Sequence, residues 1–175
     1  MNDEENEFNI VLTGFMGTGK STVGKVLAQK LSFEFVDTDI LIEETSGRSI
    51  PEIFEQSGEG HFRDLERNAA IKLAQHARQV ISTGGRMMLD AHNVEALSEN
   101  SQIFCLSASP EEIYRRVTSD KNGIERPLLN GSDPKAKISK LLQERKALYL
   151  QFAQIDTENR TPEEIANEIL AQLPL

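Results

Sequence analysis

From Gly14 the chain reads Gly14-Phe-Met-Gly-Thr-Gly19-Lys20-Ser21-Thr22, a glycine-rich run closed by a lysine and two hydroxyl residues. Every fixed position of the pattern G-x-x-x-x-G-K-[ST] is filled. Glycines in such a run let successive backbone N–H groups turn toward one point, and a helix starting just beyond adds the positive end of its dipole. The result is a cradle for phosphate oxygens. Gly17, Thr18, Gly19, Lys20, Ser21 and Thr22 are the residues expected on the nucleotide, with Lys20 reaching its β- and γ-phosphates and the Ser21 hydroxyl on Mg²⁺. An apolar stretch, 9–13, precedes the run and an amphipathic one, 20–31, follows it, the setting in which this pattern binds a triphosphate. The spacing is not that of the dinucleotide fingerprint G-x-G-x-x-G, which sets NAD aside.

A second set of residues concerns what a phosphoryl group would be passed to. Asp37 and Asp39 follow the apolar run 33–36. A carboxylate at the end of a strand, beside the phosphate cradle, can hold Mg²⁺ through water. One two residues on can accept a hydrogen bond from an acceptor hydroxyl and aim it; the plainer alternative makes Asp39 only the cap of a helix over 40–45. Arg63 and Glu66 stand three apart on one predicted helix face, close enough to pair. Arg126 lies in a polar stretch and Arg145 in a predicted helix. Single arginines are usually solvated, but their planar fork suits a carboxylate or a transferring phosphoryl group. His61, His76 and His92 share neither a helix face nor a zinc-ligand spacing, which argues against a metal enzyme built on them.

Positioning these groups falls to an alternation of short apolar runs and helices. The runs 10–12, 33–36, 80–81, 103–106 and, weakly, 152–155 are too short for helices and end in turn or cap signals. Ser109-Pro110-Glu111-Glu112 and Thr161-Pro162-Glu163-Glu164 each offer a hydroxyl cap, proline at the first helical position and glutamate three after the cap, and Asp133-Pro134 is a weaker version. Alternating strands and helices give a mostly parallel sheet covered on both faces. Two stretches break the alternation: 39–75, with two or three helical segments and no strand, is expected to be a substrate-binding insert, and 118–132, polar and glycine-bearing, a lid hinged near Gly123.

The 175 residues suit one domain with a real core. A net charge of -9 argues against a nucleic-acid binder. It also means that an anionic substrate must be met by a few local cations rather than by the global field. No apolar run approaches the roughly 18 residues of a membrane span, and 1–7, acidic and polar, reads as a frayed tail rather than a signal peptide. The one cysteine, Cys105, lies in an apolar run and is expected to be buried and inert. These features point to the cytoplasm.

In order along the chain, the phosphate loop, Asp37-Thr-Asp39, Gly47-Arg-Ser-Ile50, Phe62-Arg63 with Glu66, Gly84-Gly85, Arg126-Pro-Leu-Leu129 and Arg145 with Leu148-Tyr149 resemble the shikimate kinases. The likeness spans nearly all of 9–173. It implies a three-layer α/β/α P-loop kinase fold of the nucleoside-monophosphate-kinase type, with a five-stranded parallel sheet. The activity implied is transfer of the ATP γ-phosphoryl group to the 3-hydroxyl of shikimate, by an enzyme that is usually a monomer. Asp39 would bind the ring hydroxyls and orient the one phosphorylated. Arg63 and Arg145 would clamp the carboxylate, with Gly84 and Gly85 beside them. Arg126 would swing over the phosphates, Arg116 would lie near the adenine, and 159–162, with Arg160, would border the base.

One position departs from the pattern. The family usually has three glycines where this chain reads Thr83-Gly84-Gly85-Arg86. If the backbone there needs positive φ, a side chain costs on the order of 1–2 kcal/mol. If it does not, Arg86 either rims the acceptor pocket as a further cation or points to solvent. Two other readings stay open: a related kinase for another small polyhydroxy acid, and a nucleotide-binding module without chemistry.

Overall fold

The structure is a computed structural model that describes residues 8–119 and 133–174. At its centre is β1 (Asn9–Gly14), buried along its whole length. Side chains alternate across a strand, and here both directions are apolar. Ile10 and Leu12 enter one core with α1 (Lys20–Leu31) and α7 (Pro162–Ala171), while Val11 enters a second with α3 (Ile50–Ala74) and α4 (Ala91–Ser98). Each fully buried aliphatic side chain contributes about 1.5–3 kcal/mol, so β1 anchors both layers.

The remaining strands are β2 (Glu34–Asp37), β3 (Gln79–Ser82), β4 (Ser101–Ser107) and β5 (Ala153–Asp156). They form one parallel sheet in the order β2-β3-β1-β4-β5. The chain first builds to one side of β1 and then to the other, which opens a crevice at the carboxyl ends of the strands. Register brings Asp37 opposite Ser82, and Ser82 opposite Leu12, just short of Gly14. Acidic group, hydroxyl and phosphate loop therefore meet at one edge.

All five expected strands are present, each within a few residues of its predicted place. The stretch expected as an insert is α2 (Thr38–Ser46) and α3, the latter broken at Gly58, where φ is +79° and ψ 171°. At α7 the Thr161 hydroxyl accepts from Glu164 N and the Glu164 carboxylate accepts from Thr161 N, a complete capping box. At α5 (Pro110–Ser119) only half the box forms. Ser109 Oγ accepts from Glu112 N, but the Glu112 carboxylate turns to Arg115 and Arg116, and Glu158 receives the Ser109 N–H instead. Asp133 caps α6 (Pro134–Tyr149) through Ala136 N. The α5 helix continues to Ser119, so the expected start of the lid at 118 falls in its last turn, and the rest of that stretch, with Arg126, lies outside the described residues. So does the expected tail, 1–7. No helix among the described residues is long and apolar enough to cross a membrane. Cys105 is buried, and burial pushes its thiol up to about 11.

Candidate active site

The phosphate loop links β1 to α1, with Gly14, Gly17 and Gly19 all at positive φ. Its shape is held from within. Thr18 Oγ1 donates to the Phe15 carbonyl at 2.7 Å, and Lys20 Nζ donates to the carbonyls of Gly14 and Phe15, each at 2.9 Å. Ser21, at the start of α1, donates through Oγ to Asp37 Oδ2 at 2.8 Å and lies 3.1 Å from Ser82 Oγ. One carboxylate and two hydroxyls at one point are hard oxygen donors. They fit Mg²⁺, which takes few protein ligands and completes its shell with water and phosphate oxygens.

Asp37 has a second task. Its Oδ1 accepts from Asp39 N at 3.1 Å and caps α2, so Asp37, not Asp39, is the helix cap. Asp39 sits in the first turn with its side chain free for other work, partly buried. Burial and the charge of Asp37 raise its carboxyl to about 6, and Lys20 and Arg63 pull the other way. A carboxylate so placed is near the value at which a general base is most effective. Gly84 is what lets it lie there, since a Cβ on Gly84 would stand 2.8 Å from Asp39 Oδ1.

Around Asp39 the loop after β3 and the helices α3 and α6 converge. Thr38 Oγ1 accepts from Gly84 N at 3.0 Å, and a Cβ on Gly84 would touch Glu66 Oε1 at 3.4 Å. Glu66 is buried, which raises its carboxyl, and Arg63 Nη1 donates to it at 2.6 Å. Gly85 lies against the phosphate loop, 3.8 Å from Gly14 O and Met16 N at its Cβ position. The Tyr149 hydroxyl donates to the Gly85 carbonyl at 2.7 Å. Arg145 stands beside that hydroxyl with its guanidinium over the Phe15 ring. Arg86 adopts φ -116°, so no strain attends the loss of glycine. Its half-exposed side chain pairs with Glu59 rather than pointing only to solvent.

On the opposite flank a groove of about 460 Å³ is lined by Thr18, Thr22, Arg116, Asn159, Arg160 and Pro162, among others. Arg116 ties its walls together. Its Nε donates to Glu112 at 2.6 Å, Nη1 to the Gly17 carbonyl at 3.3 Å, and Nη2 to the Thr157 carbonyl at 2.7 Å. The edge of the guanidinium is thereby occupied and its flat face is what remains for a base. Arg160 lines the groove too, but donates to the carbonyls of Asp156 and Glu164 and pairs with Glu168, so it shapes the loop.

Sequence reasoning passed over five of these residues. Ser82, Thr157 and Thr38 gave no signal beyond being hydroxyls near strand ends. Glu112 stood in a cap motif that hid its pairing with Arg116. Glu59 was legible only as a carboxylate four residues before Arg63. His61, His76 and His92 are exposed, and no group of three or more histidine, cysteine or acidic side chains among the described residues could hold a metal.

A phosphate loop after β1, an acidic pair after β2 and a helical insert before β3, on a sheet of this order, define a P-loop kinase. Comparison with known proteins narrows the class: the family model described as shikimate kinase matches residues 16–174. The chain belongs to the shikimate kinase family. A shikimate kinase of Caldanaerobacter subterraneus subsp. tengcongensis is 48% identical over 164 residues, 93% of this chain and 94% of that one. One of Thermodesulfovibrio yellowstonii is 46% identical over 166 residues, 94% of each chain. Among solved structures, Acinetobacter baumannii shikimate kinase in complex with shikimate superposes with a TM-score of 0.85 at 38% identity, covering 95% of this chain and 92% of that one. A Sinorhizobium meliloti gluconokinase, 17% identical with a TM-score of 0.59, shares the fold alone.

Proposed function

We propose that this ATP-dependent kinase transfers the γ-phosphoryl group of ATP to the 3-hydroxyl of shikimate, and that Asp39 is the residue around which the reaction is arranged. The observation that carries this is the position of the Asp39 carboxyl, raised to about 6 between the phosphate loop and Arg63 and in close approach to Gly84. In the proposed reaction Asp39 accepts a hydrogen bond from the acceptor hydroxyl and takes its proton as that oxygen bonds to the γ-phosphorus. The bond from the γ-phosphorus to the bridging oxygen breaks, and ADP leaves. Lys20 and the backbone N–H groups of Gly17, Thr18 and Gly19 hold the phosphates in line, and positioning supplies much of the acceleration. Ser21 and, through water, Asp37 would hold Mg²⁺, which would supply charge neutralisation on the phosphates.

Arg63 and Arg145, from α3 and α6, are proposed to take the shikimate carboxylate, with Gly84 and Gly85 forming the floor. The flat face of Arg116 stacks on the adenine, Thr22 and the 159–162 segment with Arg160 border the base, and Arg126, placed by resemblance alone, adds charge over the phosphates. The enzyme is read as a monomer, the form the family resemblance implies, and as cytoplasmic, with a small-molecule substrate. The test is a panel of small hydroxy acids with ATP, following ADP and the phosphorylated acceptor. Stoichiometric shikimate 3-phosphate is expected. Preference for another polyhydroxy acid would reassign the acceptor, and nucleotide binding without any phosphorylated product would leave a binding module.

A further inference from the structure

A guanidinium receives a carboxylate best along its Nε–Nη2 edge, where two hydrogen bonds run parallel. On Arg63 that edge is already taken. Glu59 Oε1 accepts from Arg63 Nε at 3.3 Å and from Nη2 at 3.0 Å, and the same oxygen accepts from Arg86 Nη1 at 3.0 Å. The remaining Nη1 of Arg63 donates to buried Glu66. A substrate carboxylate therefore meets its matching edge occupied by a carboxylate of the chain itself.

We propose that Glu59 is a built-in competitor for the acceptor carboxylate at Arg63, and that Arg86 is a positioning residue that takes Glu59 over when the acceptor arrives. This rests on the reading of Arg63 as a carboxylate ligand. Arg86 already touches the Glu59 oxygen, so Glu59 can leave Arg63 without losing its cationic partner. The exchange happens at the rim: the Glu59 and Arg86 side chains are 52% and 53% exposed, against 22% for Arg63. The backbone has room for it. Gly58 breaks α3 immediately before Glu59 with a φ, ψ pair reserved for glycine, Gly60 follows, and nothing lies within 4 Å of a Cβ at either.

Each carboxylate keeps a guanidinium partner throughout, while the cluster as a whole takes on the negative charge of the acceptor. Before exchange Glu59 and Glu66 face Arg63 and Arg86; afterwards Arg63 holds the substrate carboxylate and Glu66, while Arg86 holds Glu59. A glycine at position 86 would leave the displaced Glu59 to water alone.

The experiment measures Kd and KM for shikimate and for its methyl ester in the full chain carrying Glu59→Gln, Arg86→Gly, Arg86→Lys or Glu59→Gln with Arg86→Gly, and Arg63→Ala as control. Glu59→Gln is expected to lower Kd and KM for shikimate by about threefold, the scale of one exposed ion pair, through KM rather than kcat. The methyl ester should show no such gain. Arg86→Gly is expected to raise KM by about threefold, Arg86→Lys to restore it, and Arg86→Gly to have little effect once Glu59 is glutamine. An unchanged or raised KM in Glu59→Gln overturns the competitor. An equal rise from Arg86→Gly in both backgrounds means that Arg86 touches substrate directly. Arg63→Ala separates the failures: if it leaves KM unmoved the carboxylate reading falls, and if it raises KM while Glu59→Gln does nothing only the competitor falls.

Discussion

Asp39→Asn keeps the shape of a side chain and removes its charge, and the structure assigns opposite consequences to stability and turnover. Burial and Asp37 raise the Asp39 carboxyl from its ordinary 3.8 to about 6, which corresponds to about 3 kcal/mol by which the fold disfavours the ionised form. Because the folded-state value lies above the unfolded one, the fold binds this proton more tightly. The favourable contribution is fully present below pH 3.8, declines through the interval between the two values, and is gone above pH 6 or so. Asparagine carries no charge at any pH. The variant is therefore expected to gain up to about 3 kcal/mol over the parent at pH 8, or roughly 6–12 °C in Tm for a chain of this length. At pH 4 it should gain little. Removing the proposed base should lower kcat by about 10²–10⁴-fold while ATP binding holds. Thermal denaturation of both proteins at pH 4, 6 and 8, with coupled kinetics and an ATP titration, checks this. A difference in Tm that ignores pH would refute the electrostatic argument, and retained turnover would remove Asp39 from the chemistry.

Three further expectations follow from the same geometry. The acid limb of kcat/KM against pH should fall near the raised Asp39 value, about 6, so activity is lost below it and level above; a limb near pH 4 would mean the carboxyl is not perturbed. Gly84→Ala places a methyl 2.8 Å from Asp39 Oδ1 in a backbone conformation that alanine tolerates, and should lower kcat by about tenfold or more through misplacement; unchanged kinetics would show that Asp39 need not sit where it does. Glu112, held down to about 2 by Arg115 and Arg116, contributes stability present above its unfolded value of 4.5 and lost as pH falls through 2. Glu112→Gln should cost about 2 kcal/mol in urea unfolding and weaken ATP binding, and a stability loss with unaltered ATP affinity would detach Arg116 from the base.

Much of this site could be read from the chain because its parts are local. The phosphate loop is one continuous run, and Thr161-Pro162-Glu163-Glu164 contains both halves of its capping box. What escaped was pairing across distance. The Arg116 contact with Thr157 joins residues far apart in sequence, and the Ser21–Asp37–Ser82 cluster depends on a strand register that no local pattern prints. Motif reading also assigned each residue one role. Glu112 looked like a cap and serves as a counter-ion, while Asp37, expected on a metal, is also the cap that Asp39 had been offered as. Arg86 was singled out by its difference from the family, but its partner Glu59 was not, because it sits in α3, far off in sequence.

The contact of Tyr149 with Gly85, and of Gly85 with Gly14, joins α6 to the phosphate loop through carbonyls and one phenol. Burial raises that phenol above its ordinary value of 10, so it keeps its proton wherever the enzyme works. None of the links is an ion pair, and neither salt nor moderate acid has a handle on them. Acid can silence Asp39 while the floor it stands on keeps its alignment, so inactivation near pH 6 should reverse at once on neutralisation, with no refolding step in between.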